Sequence, residues 1–530
     1  MTEFDEGAHP RGKGGKFALK GSAGGHEGQI ATAIATSVDA DTDQYKQPSV
    51  AAMAGDGATD PKVIAATEKN FEHDIGLFHD ASIYPNFRSD ELKGTVREQA
   101  TAIVKNLTSN LVFLYNQASD EVKHAGSIWY ESAHKVGEKA TADSVNADFP
   151  KGLPQIGVFG TIAILSPNKE WDQNVDMARR VVDTYATKQH YQFDEAMRAQ
   201  FAKTWDANKA GSSGKPDPDS QKYKDKVKLF ESYRRDVEGK KLGELSSPLL
   251  KAVWIRTYDE AHNPQTYHTF LPNGDIGPLA RNLPNRKFPE GAPTTMVWQS
   301  TKFVANAVRC LESNGDRQII SDNMGGNHKV RSFFNNILDP HSPNQDTTID
   351  THQVGAALLR GLGAKSAPVT QNFGLAPPKG VEAASGSEVT GLSGTYGVYA
   401  DATRAAAKET GVPYAQVMQA ITWVTKRNVL GETSDAANAL IEKAWGRYHD
   451  GRLTQPQTQK LVWNIAMQDV ARQAVARKTK LDWDLAAPAR VAARAVARAQ
   501  TDSDKAARAT ARAKKKVKSA TQAKKVKLLL

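Results

Sequence analysis

Two residues, Lys329 and Asp350, stand out by type and placement in the stretch NMGGNHKVRSFFNNILDPHSPNQDTTIDTHQVGAALL. Val330, Phe333, Phe334 and Ile337 fall at i, i+3, i+4 and i+7, which predicts a helix from about His328 with one face in the core. The Gly325-Gly326 pair predicts a break before it, so that residues 299–338 read as helix, hairpin, helix. A helix entered from a tight turn aims the backbone N–H groups of 325–329 outward at its positive end, an arrangement that suits a DNA phosphate. Lys329 then sits in the first turn of that helix. Asp350 opens the next helix, over 350–361, with Val354, Ala357 and Leu358 inward and Gly361 and Gly363 at its close. The polar loop 340–348 is free to fold one residue back toward the other.

Other chemistry is excluded by residue type or spacing. Gly7-Ala8-His9-Pro10-Arg11-Gly12-Lys13 has the spacing of a phosphate loop, but it lacks the preceding strand, the Ser or Thr for magnesium and the following helix. His73 and His79, six apart, do not share a helix face, so no metal site is expected there. Cys310 is the only cysteine, which excludes disulfide frameworks, zinc sites built on cysteine pairs and cysteine-ligated iron–sulfur clusters. No cofactor is expected.

The elements that must position the pair are mostly helical. Val104, Leu107, Leu111 and Leu114 make an amphipathic stripe within 89–139. GVFGTIAILSPNKEW predicts a buried apolar helix, a break, and a second helix with Ser166 as N-cap and Pro167 as its first residue. Asn263-Pro264 and Asn273-Gly274 predict one short hairpin. The expected organisation is a disordered leader over 1–65, a helical N-terminal region over 66–149 and a core over 150–362 with a surface insertion at about 187–295. A linker over 363–394, a helical C-terminal region over 395–486 and a basic tail over 487–530 complete it. The fold class is mainly α.

At 530 residues, this chain exceeds one ordinary domain. No apolar run approaches the roughly 18 residues of a membrane span, and the N-terminus has no apolar stretch of the kind a secretory signal carries. The net charge of +10 is local: thirteen of the 69 Lys and Arg lie in 487–530 against two of the 59 Asp and Glu, so the tail carries +11 and 1–486 is left at −1. Arg490, Arg494 and Arg498 lie four apart on one face of an alanine-rich helix, a geometry that would neutralise several phosphates.

Gly325-Gly326-Asn327-His328-Lys329 followed by Thr348-Ile349-Asp350-Thr351-His352 resembles the helix-hairpin-helix DNA glycosylase superfamily, the endonuclease III-like fold. That family carries a Gly-x-Gly-x-Lys hairpin and, about twenty residues later, a Val-Asp-Thr-His segment. Ala163-Ile164-Leu165-Ser166-Pro167-Asn168 is similar to the Leu-Ser-Ala-Gln segment that opens an early helix of the same fold. The resemblance covers about 150–362. Asn327 stands where the second hairpin glycine belongs, Lys329 and Asp350 are 21 residues apart, and the cysteines of an accessory cluster are missing.

The resemblance implies a helix-hairpin-helix glycosylase-like core acting on a nucleotide flipped out of DNA. Lys329 would attack the sugar and Asp350 would take its proton. Gly325, Gly326, Asn327, His328 and Arg331 would contact the DNA, and Asn168, Trp171 and His352 would line the pocket. It also implies a related alternative, a base-hypermodification step on thymine as in a bacteriophage branch of the superfamily. The leader FDEGAHPRGKGGKFA and the segment GTYGVYADATRAAAKETGVPYAQVMQAITWVTKR resemble stretches of tailed-phage proteins, which points to host cytoplasm or virion and to other phage proteins as partners. The rival expectation is a phage DNA-binding or virion-associated protein without catalysis.

Overall fold

A computed structural model describes residues 47–210, 220–282, 292–324, 328–386, 393–431 and 433–477. Leader residues 1–46, Gly325, Gly326 and Asn327 of the expected hairpin, and the tail with Arg490, Arg494 and Arg498 lie outside the described residues. The fold is mainly α, and the strands His268–Phe270 and Ile276–Leu279 pair antiparallel around the Asn273-Gly274 turn. No helix among the described residues is long and apolar enough to cross a membrane.

Two apolar cores organise the helices. The first surrounds Gln155–Ile164, whose sequence QIGVFGTIAI is apolar on all sides and is buried from Gly157 to Ile164. Trp129–Asp143, Trp171–Thr187, Thr301–Glu312 and His328–Leu338 pack around it. Gly157 is what permits the closest approach: a Cβ there would lie 2.5 Å from the Cys310 carbonyl oxygen of Thr301–Glu312.

The second core is built on Val96–Gln117, where Leu107, Leu111 and Leu114 are fully buried as their spacing predicts. Tyr396–Thr410, Ala415–Val429 and Thr351–Ala357 pack against that helix. Asp435–His449 and Gln455–Arg477 add Trp445 and Val462 to the same core. Residues from the N-terminal region and from the described part of the C-terminal region thus share one core. The alanine-rich pattern of that region conceals this packing: Ala400, Ala402, Ala406 and Ala407 are buried on more than one face of Tyr396–Thr410, which packs against Val96–Gln117 and Ala415–Val429.

Other boundaries also move. The leader gives way to ordered chain before 65, since Val50–Met53 and Pro61–Gly76 are helical. Ser49 and Asp60 cap them, and Val50 N donates to Asp401 Oδ2 at 2.8 Å. The described residues of 363–394 contain the helix Ala367–Asn372, with Val369 and Gln371 buried, and pack against the core rather than forming a linker. Ser385 N donates to Asp74 Oδ1 at 2.7 Å, which ties this segment to Pro61–Gly76. The insertion carries Glu195–Ala210 and Gln221–Val237, and Phe193, Met197 and Val237 are buried in the first core. Trp254 and Ile255 of Pro248–His262 are fully buried there as well, so the insertion is part of the first core and its charge-rich stretches hide that.

The second helix of the 153–185 segment starts at Trp171 with Glu170 as cap, not at Pro167 with Ser166. Asn168 takes a left-handed φ of 57° in between, which ends any helical path through 166–170.

Candidate active site

Lys329 is the second residue of His328–Leu338, whose apolar face (Val330, Phe333, Phe334, Ile337) fixes the rotation of the helix. Asp350 is the N-cap of Thr351–Ala357, and its Oδ1 accepts from Gln353 N at 2.9 Å. That helix ends at Ala357, earlier than expected, because Leu359 turns left-handed at φ 49°.

The connection between the two elements is packed, although its composition reads as a solvated loop. Thr347, Thr348 and Ile349 are buried. Ile349 N donates to the Tyr396 hydroxyl at 2.9 Å, and that hydroxyl donates to Thr347 O at 2.9 Å. Thr348 Oγ1 is reached by Asn336 Nδ2 at 3.2 Å and by the Tyr130 hydroxyl at 3.0 Å. Arg404 Nε donates to Gln345 O at 3.0 Å. Helices from both cores therefore hold the segment that delivers Asp350.

Lys329 and Asp350 sit within electrostatic reach of each other, and both are part-buried. Burial lowers the Lys329 amine below its usual range, while the negative charge of Asp350 works in the opposite direction. His352, two residues beyond, is pushed down to about 4, first by burial and then by the positive charges of Lys426, Arg427 and Lys329 against the opposing pull of Asp350. It is a neutral imidazole at neutral pH, and its Nδ1 has no hydrogen-bond partner among the described residues.

Two charged residues of this cluster come from Ala415–Val429 and escaped the sequence reading. Lys426 is buried and its amine is lowered to about 8 by that burial, with Asp350 raising it and Arg427 lowering it further. The guanidinium carbon of Arg427 stands 5.7 Å from the centre of the Trp423 ring. A Lys-Arg pair near a helix C-terminus ordinarily reads as solvated charge, and only the tertiary placement of Ala415–Val429 against Thr351–Ala357 reveals it.

An aromatic group adjoins the charges. Trp129 lies 5.2 Å from Trp171, 6.2 Å from Phe333 and 6.4 Å from Trp423, between ring centres. The Trp423 ring is 6.0 Å from His352, and its Nε1–H has no acceptor among the described residues. All three tryptophans are part-exposed, each on a different helix. Trp171 was among the expected pocket residues, whereas Trp129 and Trp423 were not, since isolated tryptophans in helical patterns read as core.

The remaining expected residues are placed differently. Asn168 is exposed in the left-handed turn. Arg331 is part-buried and donates Nη2 to Ser321 O at 3.1 Å, which ties its helix to Arg317–Met324. The His328 ring packs 5.5 Å from Tyr396. Among the described residues no cluster of three or more His, Cys, Asp or Glu could hold a metal ion.

The arrangement offers a lowered amine in the field of a carboxylate, with a neutral imidazole and aromatic rings on neighbouring helices. Such a set can perform amine nucleophilic catalysis on an electrophilic carbon with a planar group bound alongside. In comparison with known proteins, a family of unknown function (DUF7178) matches residues 93–211. No curated protein and no solved structure matches the chain.

Proposed function

We propose that this protein is a DNA-acting enzyme of helix-hairpin-helix glycosylase type that works on a nucleotide turned out of the duplex. The observation that carries the reading is the placement of Lys329 in the first turn of His328–Leu338 and of Asp350 as the cap of Thr351–Ala357, held by one packed connection, with burial lowering the Lys329 amine. A base inside a duplex is out of reach, so the nucleotide must be extruded at about a few kcal/mol, offset by stacking and phosphate contacts. Trp129, Trp171 and Trp423 form a part-exposed ring group that reaches His352 through Trp423 and would supply that stacking.

In the reaction, the Lys329 Nζ lone pair bonds to the sugar C1′. The bond from C1′ to the base breaks, and its electron pair leaves with the base, which takes up a proton. Asp350 accepts the proton released by the amine and stabilises positive charge developing on the sugar. Opening of the sugar ring, with O4′ taking a proton, leaves a protonated Schiff base between C1′ and Nζ, and water releases the lysine. His352, being neutral, adds no positive charge against the developing cation.

The experiment is base release from a panel of duplexes carrying damaged, mismatched or modified bases, followed by mass spectrometry of the freed base. Release by the wild type that is abolished in Lys329→Ala and in Asp350→Asn is the expected result. A full panel with no release, or release that survives Lys329→Ala, would reject the reading.

A further inference from the structure

Tyr396 touches both chain segments on which the proposed chemistry depends. It is the first residue of Tyr396–Thr410 and is buried. Its hydroxyl donates to Thr347 O and accepts from Ile349 N, both at 2.9 Å, and so bridges the peptide groups on either side of Thr348. Asp350 is the next residue in the chain. The Tyr396 ring centre lies 5.5 Å from that of His328, the residue directly before Lys329. One side chain thus meets the immediate neighbour of the carboxylate and the immediate neighbour of the amine.

Residues 347–349 are buried and belong to no helix or strand, so their peptide groups need partners from elsewhere. The Tyr396 hydroxyl supplies two of them, as a paired strand would. From Thr348 the side chain makes a separate contact, with Oγ1 reached by Asn336 Nδ2 at 3.2 Å and by the Tyr130 hydroxyl at 3.0 Å. Asn336 lies on the helix that carries Lys329. Tyr396 is itself firmly seated. Val398, Tyr399 and Ala400 behind it are fully buried, and a Cβ at Gly397 would stand 2.6 Å from Ser49 O. Thr395 N donates to Gln371 O at 3.2 Å.

We infer that Tyr396 is a positioning residue: its hydroxyl fixes the segment that ends in Asp350 while its ring packs on the entry to the Lys329 helix, so that carboxylate and amine keep one relative placement. The inference rests on the reading of Lys329 and Asp350 as the reacting pair, and it adds to that site a residue outside the 150–362 span of the glycosylase resemblance. Without the hydroxyl, Thr347 O and Ile349 N lose their partner, and the segment shifts until other groups or water satisfy them. Asp350 moves with it.

The test uses the full chain and a duplex with an abasic site, trapped by borohydride. Tyr396→Phe keeps the ring and removes the hydroxyl. It is expected to lower the maximum trapping rate at least about tenfold and to leave the DNA concentration for half-maximal rate unchanged, because misplaced reacting groups slow chemistry rather than binding. Tyr399→Phe is the comparison, since Tyr399 is fully buried in the same helix with its ring 6.5 Å from Phe78, and it should keep the wild-type rate. An unchanged rate in Tyr396→Phe, or an equal loss in Tyr399→Phe, would overturn the inference. Hydrogen exchange needs no reaction: Tyr396→Phe should speed exchange of the Ile349 amide at least about tenfold, and unchanged protection would overturn the inference equally. Should that variant not fold, Thr348→Val removes the Asn336 and Tyr130 contacts and must leave the Ile349 amide protected; protection lost there would assign the hold to Thr348 instead. Released Ile349 exchange in Tyr396→Phe without trapping by the wild type on any duplex would reject the enzyme reading and leave Tyr396 as the group that fixes Asp350.

Discussion

Replacing Lys426 by methionine should change how stability depends on pH, and the size of the change follows from the burial of one amine. Unfolded, this amine holds its proton to about pH 10.5, whereas in the folded chain it does so only to about 8. Between those values the unfolded state binds more protons, so stability rises with pH, and below 8 the folded protein bears the full penalty. The gap of about two and a half units, at about 1.36 kcal/mol each, gives ~3 kcal/mol. Methionine nearly matches the volume and has no proton, so the variant lacks this rise. Its stability relative to wild type should therefore fall by ~3 kcal/mol from pH 7 to 10.5, whatever constant offset arises from packing or from Asp350. Denaturant unfolding of both proteins at a series of pH values reads it directly, since tyrosines and other groups titrating in this window are common to the pair. A difference that stays flat across the window, or that grows in favour of the variant, would refute the assignment of Lys426 as a charged amine buried in the fold.

Three further outcomes are expected. Leu111→Ala should cost about 2–5 kcal/mol, because Leu111 is fully buried where N-terminal and C-terminal helices meet, and urea unfolding will read the loss. Asp350→Asn should lose stability at neutral pH beyond the cap itself, since asparagine caps a helix as well as aspartate does but removes the negative charge that opposes the buried Lys329 and Lys426 amines, so a loss within about 1 kcal/mol in thermal unfolding would mean that the Gln353 hydrogen bond rather than charge dominates. Deletion of 487–530 should flatten the dependence of log K on log salt for non-specific DNA by about 0.9 for each phosphate the tail had neutralised, and an unchanged slope would return the tail to a solvated appendage.

The helical periodicities were legible wherever large apolar residues mark one face, as at Leu107, Leu111 and Leu114 or Val330, Phe333, Phe334 and Ile337. The helix break at 168–170 was legible as a break, but its cap was misplaced because Ser166-Pro167 satisfies the local rule while Asn168 takes a left-handed turn after it. Long-range assembly was the hidden part. Composition made 363–394 look like a linker, yet Gln371 and Ser385 spend their polar groups on Tyr84 and Asp74, partners some three hundred residues distant in sequence. The same applies to the site. Lys329 and Asp350 could be singled out from a short segment, whereas Lys426, Trp129 and Trp423 acquire their meaning only from the packing of Ala415–Val429 and Trp129–Asp143 beside it.

The most direct test of the central claim is borohydride trapping on DNA that carries a released-base or abasic site, with the adduct located by mass spectrometry of the digested protein. The account predicts a reduced covalent link on Lys329 that disappears in Lys329→Ala. An adduct mapped to Lys426, or one that survives Lys329→Ala, would contradict it.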